Sequence, residues 1–382
     1  MSGPAARRLP THCPAPGKAP TADGTDESGR VLGVTKQTWT AAVSALLFVT
    51  LAAVVSLTPV PFVSWSPGAT VNLFEPVDGQ ARVEIQGTAT HPTTGQLRLT
   101  TVSVTRADSR LTLPEALLSY WLSSREVLPR EAVYPAGVSV DEIRAREVQM
   151  MDTSQSSAVA AALRAAGQKV YDYPMVMGVS NGSPADGQLK PGDFILQIDN
   201  KAVTTTDEVR AAITKHAVGD PILFTILRDR RQLSVTIISA ASNANAAQPV
   251  VGINLTVGYS YAPRVTFRIS PDIGGPSAGL IFALAVYDMV SSGDLIADRS
   301  VAGTGTITGE GQVGPIGGIQ EKIAGAEAAG ATVFLVPADN CADVQGLATS
   351  VRLVRVATLS DAIAALEDLK DPGRAPTVEG CS

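Results

Sequence analysis

The sequence predicts an α+β protein behind a single membrane-crossing helix. Three observations carry that expectation. No charged residue falls between Lys36 and Glu75. Residues 69–106 alternate apolar and polar side chains, the period of strands, and residues 113–167 switch to helical spacing. From residue 168 to the end, strand-like and helix-like stretches succeed one another around two glycine-rich segments.

Taken in order, residues 1–38 form a tail rich in Pro, Ala, Gly and Thr, expected to be disordered. Residues 39–59 form the anchor. The run Trp39–Leu57 holds nothing more polar than Ser and Thr, and at about 1.5 Å per residue it spans roughly 28 Å, close to the hydrocarbon thickness. Pro59 and Pro61 end it. A signal peptide would have a shorter apolar core and a small-residue cleavage pattern, which is missing. The tail carries Arg7, Arg8, Lys18, Arg30 and Lys36, whereas the first basic residue after the anchor is Arg82. The positive-inside rule therefore puts the tail in the cytoplasm and the rest outside. Disulfides persist there, so Cys341 and Cys381 are expected to pair and pin the C-terminal tail, 372–382.

Residues 62–167 read as a small antiparallel sheet followed by helices that stop at Gly167, with Tyr120 and Trp121 expected as core anchors. Residues 168–242 form a second pattern, strands around a helix that Thr205 or Thr206 caps. A polar stretch, 241–250, leads into the last block, 248–371.

Composition narrows the chemistry. Charged residues are 17% of the chain and the net charge is −6, against a nucleic-acid binder held by phosphate contacts. Three scattered histidines and three cysteines leave no zinc spacing and no Ser-His-Asp arrangement. Any hydrolysis must use another base. Two segments offer one. In the first, Gly274, Gly275 and Pro276 turn the chain so that Ser277 opens an apolar helix, with an accessible Oγ and free N–H donors nearby. A simple capping serine reads the same way. In the second, Lys322 lies on a helix whose neighbours three and four residues away are Gly318, Ile319, Gly325 and Ala326. Packed among such small groups a lysine loses water and its pKa falls, as a general base requires. A surface lysine laying its stem along apolar neighbours fits the same spacing.

Two resemblances join these pieces. Val179–Val203, with Ser183–Asp186 and the Gly192-Asp193 turn, resembles a PDZ domain of the bacterial protease-associated kind. The resemblance implies an extended peptide added to an exposed sheet edge, with Met175, Val176, Met177, Gly178 and Val179 as the peptide-facing strand. Tyr171-Asp172-Tyr173-Pro174 stands where a carboxylate-binding glycine loop is expected. The GPSAG of Gly275–Gly279, followed 45 residues after its serine by the lysine of PIGGIQEK, resembles the Lon (S16-type) serine proteases, here in a membrane-anchored bacterial form with a PDZ domain. That resemblance implies a Ser277 nucleophile, a Lys322 base, a supporting Thr304, and an oxyanion held by the backbone of Gly274, Ser277 and Ala278. It departs at Thr306, where the family has a glutamate, and at Gly274, where it has an acid.

Gly87–Thr101 and Ser156–Gly167 resemble the first half of the same proteolytic domain, so the PDZ module is expected as an insertion between 62–167 and 248–369. No GxxxxGK[ST] occurs, so cleavage is expected without ATP. The Gly309–Gly314 stretch fits GxGxxG but is followed by Pro315 and Gly317-Gly318 rather than a helix, and reads as a hairpin turn. No cofactor or metal is expected. The partners implied are protein or peptide substrates, the membrane, and, since related enzymes form rings, further copies of the chain. The alternative is a catalytically silent PDZ adaptor at the membrane surface.

Overall fold

The computed structural model describes residues 35–122 and 124–381. All but the last few residues of the expected cytoplasmic tail lie outside these. The chain divides near residue 55 into two compact units. In the first, helix α1 (Lys36–Leu57) is uncharged after Lys36, has a mean hydropathy of 2.3 over its most apolar window and buries none of it in protein. It is long and apolar enough to cross a membrane.

The second unit begins with β1 (Phe62–Asn72), β2 (Val83–Gln86), β3 (Gln96–Val104), α2 (Leu113–Trp121), β4 (Glu126–Pro129), the single turn α3 (Arg130–Val133) and α4 (Val140–Ala165). Then come β5 (Val170–Val179), β6 (Phe194–Ile198), β7 (Lys201–Ala202), α5 (Thr206–Thr214), β8 (Pro221–Arg228), β9 (Arg231–Ile238), β10 (Ala240–Ala241), β11 (Pro249–Val250) and β12 (Ile253–Tyr261). The last stretch holds β13 (Arg264–Phe267), α6 (Gly279–Val290), β14 (Ser300–Gly303), β15 (Thr306–Ile307), β16 (Val313–Gly314), α7 (Ile319–Ala328), β17 (Val333–Pro337), β18 (Arg352–Val356) and α8 (Leu359–Asp368).

One six-stranded sheet runs β18-β17-β14-β3-β1-β4. Its early strands pair antiparallel and its late strands parallel, and the halves join where β14 lies parallel to β3. The expected small antiparallel sheet is thus one end of a larger mixed one. β13 also pairs back to β2. One core lies against this sheet where Leu97 and Leu99 of β3, Ala158–Leu163 of α4 and Leu280–Val286 of α6 are almost wholly buried together, and a second gathers Ile319 and Ile323 of α7 with Phe334 and Val336 of β17. A capping box of Ser139 and Glu142 starts α4, and Gly167, at φ +74°, ends it in the left-handed conformation that favours glycine.

The second sheet runs β12-β5-β6-β8-β9 and closes over its own core of Val176, Ile195, Ile222, Phe224 and Ile226. It extends beyond residue 242, because β12 pairs along the whole of β5, from Val179↔Ile253 to Val170↔Tyr261. Arg164 of α4 holds this module: it pairs with Asp172, donates to the Gly309 carbonyl at 2.6 Å and stacks over Tyr259 at 5.6 Å.

Two local expectations fail. Glu126–Pro129, read as helix, pairs with β1 as a strand. Tyr120 and Trp121 are not core anchors; both are 75% exposed, because the short α2 packs through its small residues Ala116 and Ser119 and turns its large apolar groups outward. Cys341 and Cys381 are bridged, with Cα atoms 5.0 Å apart. The bridge ties the C-terminal tail to the helical turn Ala338–Val344, and the Arg355 N–H to Glu379 carbonyl bond at 3.1 Å ties it to the edge strand β18.

Candidate active site

Ser277 is positioned by its backbone. Gly275 takes φ +83°, which a side chain would strain, and its N–H donates to the Glu147 carbonyl of α4 at 3.2 Å. The Ser154 hydroxyl, one helical stretch further along α4, donates to the Pro276 carbonyl at 2.9 Å. On the other side the Ser277 carbonyl accepts from the Gly305 N–H at 2.8 Å and from Thr304 Oγ1 at 2.9 Å. The serine is therefore clamped between α4 and the loop after β14, two residues ahead of the buried helix α6.

Lys322 reaches the same point from α7. That helix starts at Gly318, in the left-handed region at φ +71°, against the Trp65 ring. It lies so close to β1 that a Cβ on Gly325 would sit 3.0 Å from the Gly68 carbonyl oxygen. The lysine is 3% exposed. Its Nζ lies 2.7 Å from Ser277 Oγ and 3.1 Å from Thr304 Oγ1. No carboxylate balances the charge among the described residues, and burial alone pulls the lysine down from its usual 10.5 to about 8. An amine that sheds its proton near neutrality, in contact with a hydroxyl, can take that hydroxyl's proton.

The turn also presents donors. Among the described residues nothing accepts from the N–H groups of Gly274, Ser277 and Ala278, whereas Gly275, Gly279 and Leu280 each have an acceptor. The free donors stand where the helix dipole is positive. Beside them lies a cleft of about 300 Å³, lined by Met150 and Thr153 of α4, Met177 of β5, Pro276, Thr306 and Ile307.

Both departures from the family pattern have a local setting. A Cβ at Gly274 would lie 2.8 Å from Glu147 Cβ and 3.3 Å from its carboxylate oxygen. The side chain of Glu147, from α4 and 127 residues away in sequence, thus packs against Gly274, where no local motif could reveal it. Thr306 bonds to neither Ser277 nor Lys322; it packs over Gly314 in the β15–β16 pair.

The expected peptide strand needs correction. Met175, Val176, Met177, Gly178 and Val179 lie on β5, an interior strand: β12 takes one of its edges along its length, and β6 meets the other at Met175. The edge strands of that sheet are β12 and β9, and α5 lies beside β12. Between the first half of β12 and α5 runs a groove of about 720 Å³, lined by Gly252–Leu255, Arg210, Ile213 and Thr214. The sequence held a signal for it: the glycine in PVVGINL, after the polar stretch, adopts φ +80° as the chain turns into β12.

Comparison with known proteins agrees with the two folded parts. Residues 270–366 match the Lon protease (S16) C-terminal proteolytic domain, and residues 147–238 match a PDZ domain. The chain is 45% identical over 94 residues to Lon protease 1 of Sorangium cellulosum, covering 24% of this chain and 11% of that protein. It is 42% identical over 78 residues to Lon protease 1 of Bacillus subtilis, covering 20% and 10%. With Lon protease 1 of Myxococcus xanthus the identity is 34% over 113 residues, 28% of this chain and 14% of that one. The chain therefore spans about a tenth of the length of the curated relatives it matches. The PDZ domain of an SdrC-like protein of Listeria monocytogenes aligns at 29% identity and a TM-score of 0.21, over 22% of this chain and 90% of that one. The matches support a serine peptidase domain of the Lon type together with a PDZ domain.

Proposed function

We propose that the chain is a membrane-anchored, ATP-independent serine endopeptidase in which Ser277 and Lys322 form the catalytic dyad. The observation that carries this is the 2.7 Å contact between Lys322 Nζ and Ser277 Oγ, made by a buried lysine without a counter-charge. Neutral Lys322 takes the hydroxyl proton as Ser277 Oγ attacks the peptide carbonyl carbon. The oxyanion that forms accepts hydrogen bonds from the free N–H groups at Ser277 and Ala278. As the C–N bond breaks, the lysine ammonium returns the proton to the leaving amine. Water, deprotonated by Lys322, then attacks the acyl-enzyme ester and frees the serine. Thr304 holds the lysine amine and the Ser277 carbonyl in one arrangement.

In this reading the PDZ module is an insertion in the proteolytic domain. The pairing of β3 with β14, strands on either side of it in sequence, supports that. The module captures an extended segment of a protein substrate on the free edge of β12, beside α5. The helix α1 anchors the chain, with its N-terminal tail in the cytoplasm and the catalytic part outside.

The test is a pair of variants in the full-length protein. Ser277→Ala and Lys322→Ala should each abolish peptide cleavage and labelling by a serine-directed covalent probe. Turnover retained in either variant would sink the dyad. An unlabelled, inactive wild-type protein that still bound peptides would instead mark a silent adaptor.

A further inference from the structure

The pairing of β5 with β12 is broken at one place. Gly178 faces Asn254 and Val176 faces Leu255, so Met177 between them has no partner and forms a bulge. Bulges re-aim side chains and gather near active sites. Met177 stays 42% exposed, although it belongs to an interior strand. It turns to the cleft of about 300 Å³ whose opposite wall carries Met150, itself 36% exposed, and whose floor includes the buried Ile307. That cleft lies next to the nucleophile: Pro276, which lines it, directly precedes Ser277. Thr306 lines it too, two residues from the Thr304 that holds Lys322.

We propose that Met177, with Met150 and Ile307, forms the pocket for a large apolar side chain flanking the scissile bond. The inference rests on Ser277 being the nucleophile. The cleft has room for a leucine, methionine or phenylalanine side chain, and its wall offers almost no polar partner. A charged side chain entering it would lose water without compensation. Two flexible, polarisable methionines adapt to apolar groups of different shape. Met177 comes from the PDZ module and Met150 from α4, so the pocket exists only where the two meet.

The experiment uses full-length protein and two short peptide series. In each, one residue flanking the scissile bond is Leu, Met, Phe, Ala or Asp and the rest is constant. The reading is the ratio of kcat/KM for the large apolar peptides to that for the alanine peptide, so overall activity cancels. At one of the two positions the wild-type ratio should be about tenfold or more, the discrimination an apolar pocket gives for added methylenes. Met177→Asp should bring it close to one, and Met150→Asp, on a different element, should do the same. A ratio near one at both positions in a wild type whose Ser277 takes the covalent probe would overturn the pocket and leave the dyad standing. So would a ratio unmoved by both substitutions. No labelling of wild-type Ser277 would remove the dyad, and the pocket with it.

Discussion

Replacing Lys322 by methionine should abolish cleavage and yet make the protein more stable. The lysine falls from 10.5 to about 8 on burial. At about 1.4 kcal/mol per pH unit, that difference is a cost of about 3 kcal/mol to the folded state whenever the amine is charged. The sign follows from proton counting. Below pH 8 both folded and unfolded chains carry the proton, and the whole cost is felt. Between 8 and 10.5 the folded chain has released it while the unfolded chain keeps it, so stability rises with pH. Methionine has similar length and no charge, but it leaves the hydroxyls of Ser277 and Thr304 each without one bond, at about 1 kcal/mol apiece. The net gain at pH 7 is about 1 kcal/mol, and it shrinks and reverses by pH 10.5. Urea unfolding of wild type and Lys322→Met at pH 7 and pH 10 measures it. A variant less stable at pH 7, or a difference that does not change with pH, would refute the idea of a lysine charged at a cost.

Other consequences are as direct. The rate of cleavage should climb about tenfold per pH unit below pH 8 and level off above it, since only the neutral amine accepts the serine proton; a rate flat from pH 6 to 8 would contradict this. Thr304→Val keeps the shape and loses the bonds to Lys322 and to the Ser277 carbonyl, for a loss of about tenfold or more in kcat, with Thr304→Ser restoring most of it. Gly325→Ala pushes α7 off the Gly68 carbonyl and carries Lys322 away from Ser277, so kcat should fall with KM little changed. Reducing the Cys341–Cys381 bridge, which closes a loop of 40 residues, should cost up to about 4 kcal/mol by loop entropy, read as a lower midpoint in chemical unfolding with reductant present.

What could be read from the residues alone depended on the range of the interaction that decides it. Ser277 and Lys322 each stood out through a few neighbours, a glycine turn opening a helix and a lysine among small groups one helical turn away. Each segment alone also fitted a structural role, and only the resemblance to the Lon proteases joined them; their 2.7 Å contact is a matter of the fold. The membrane-length helix was legible by itself, since its uncharged run is continuous. Tyr120 and Trp121 misled because apolar character says nothing about which face of a nine-residue helix finds a partner; Ala116 and Ser119 won that face by being small. The peptide edge misled because β5 carries the recognisable motif, whereas the strand covering it, β12, comes 70 or more residues later. Glu147 beside Gly274 and Met177 at its bulge depend on contacts across similar separations, and a register shift of one residue leaves no mark in the alternation of side chains.

The junction of the larger sheet also bears on how the molecule comes to be made. Strand β3 lies next to β14, and the paired residues Gln96 and Ser300 are separated by 204 positions. At about 5–20 residues per second, a ribosome needs roughly 10–40 s to supply the second after the first. For most of that interval the apolar face of β3 lacks the helix α6, which is completed only ten residues before Ser300. The intervening sheet has its own core and can fold in the meantime. Its outermost pair, Val170 and Tyr261, then brings the ends of the segment together. The waiting half and the arriving half are thereby delivered to each other, and Ser277 meets Lys322 only at that late step.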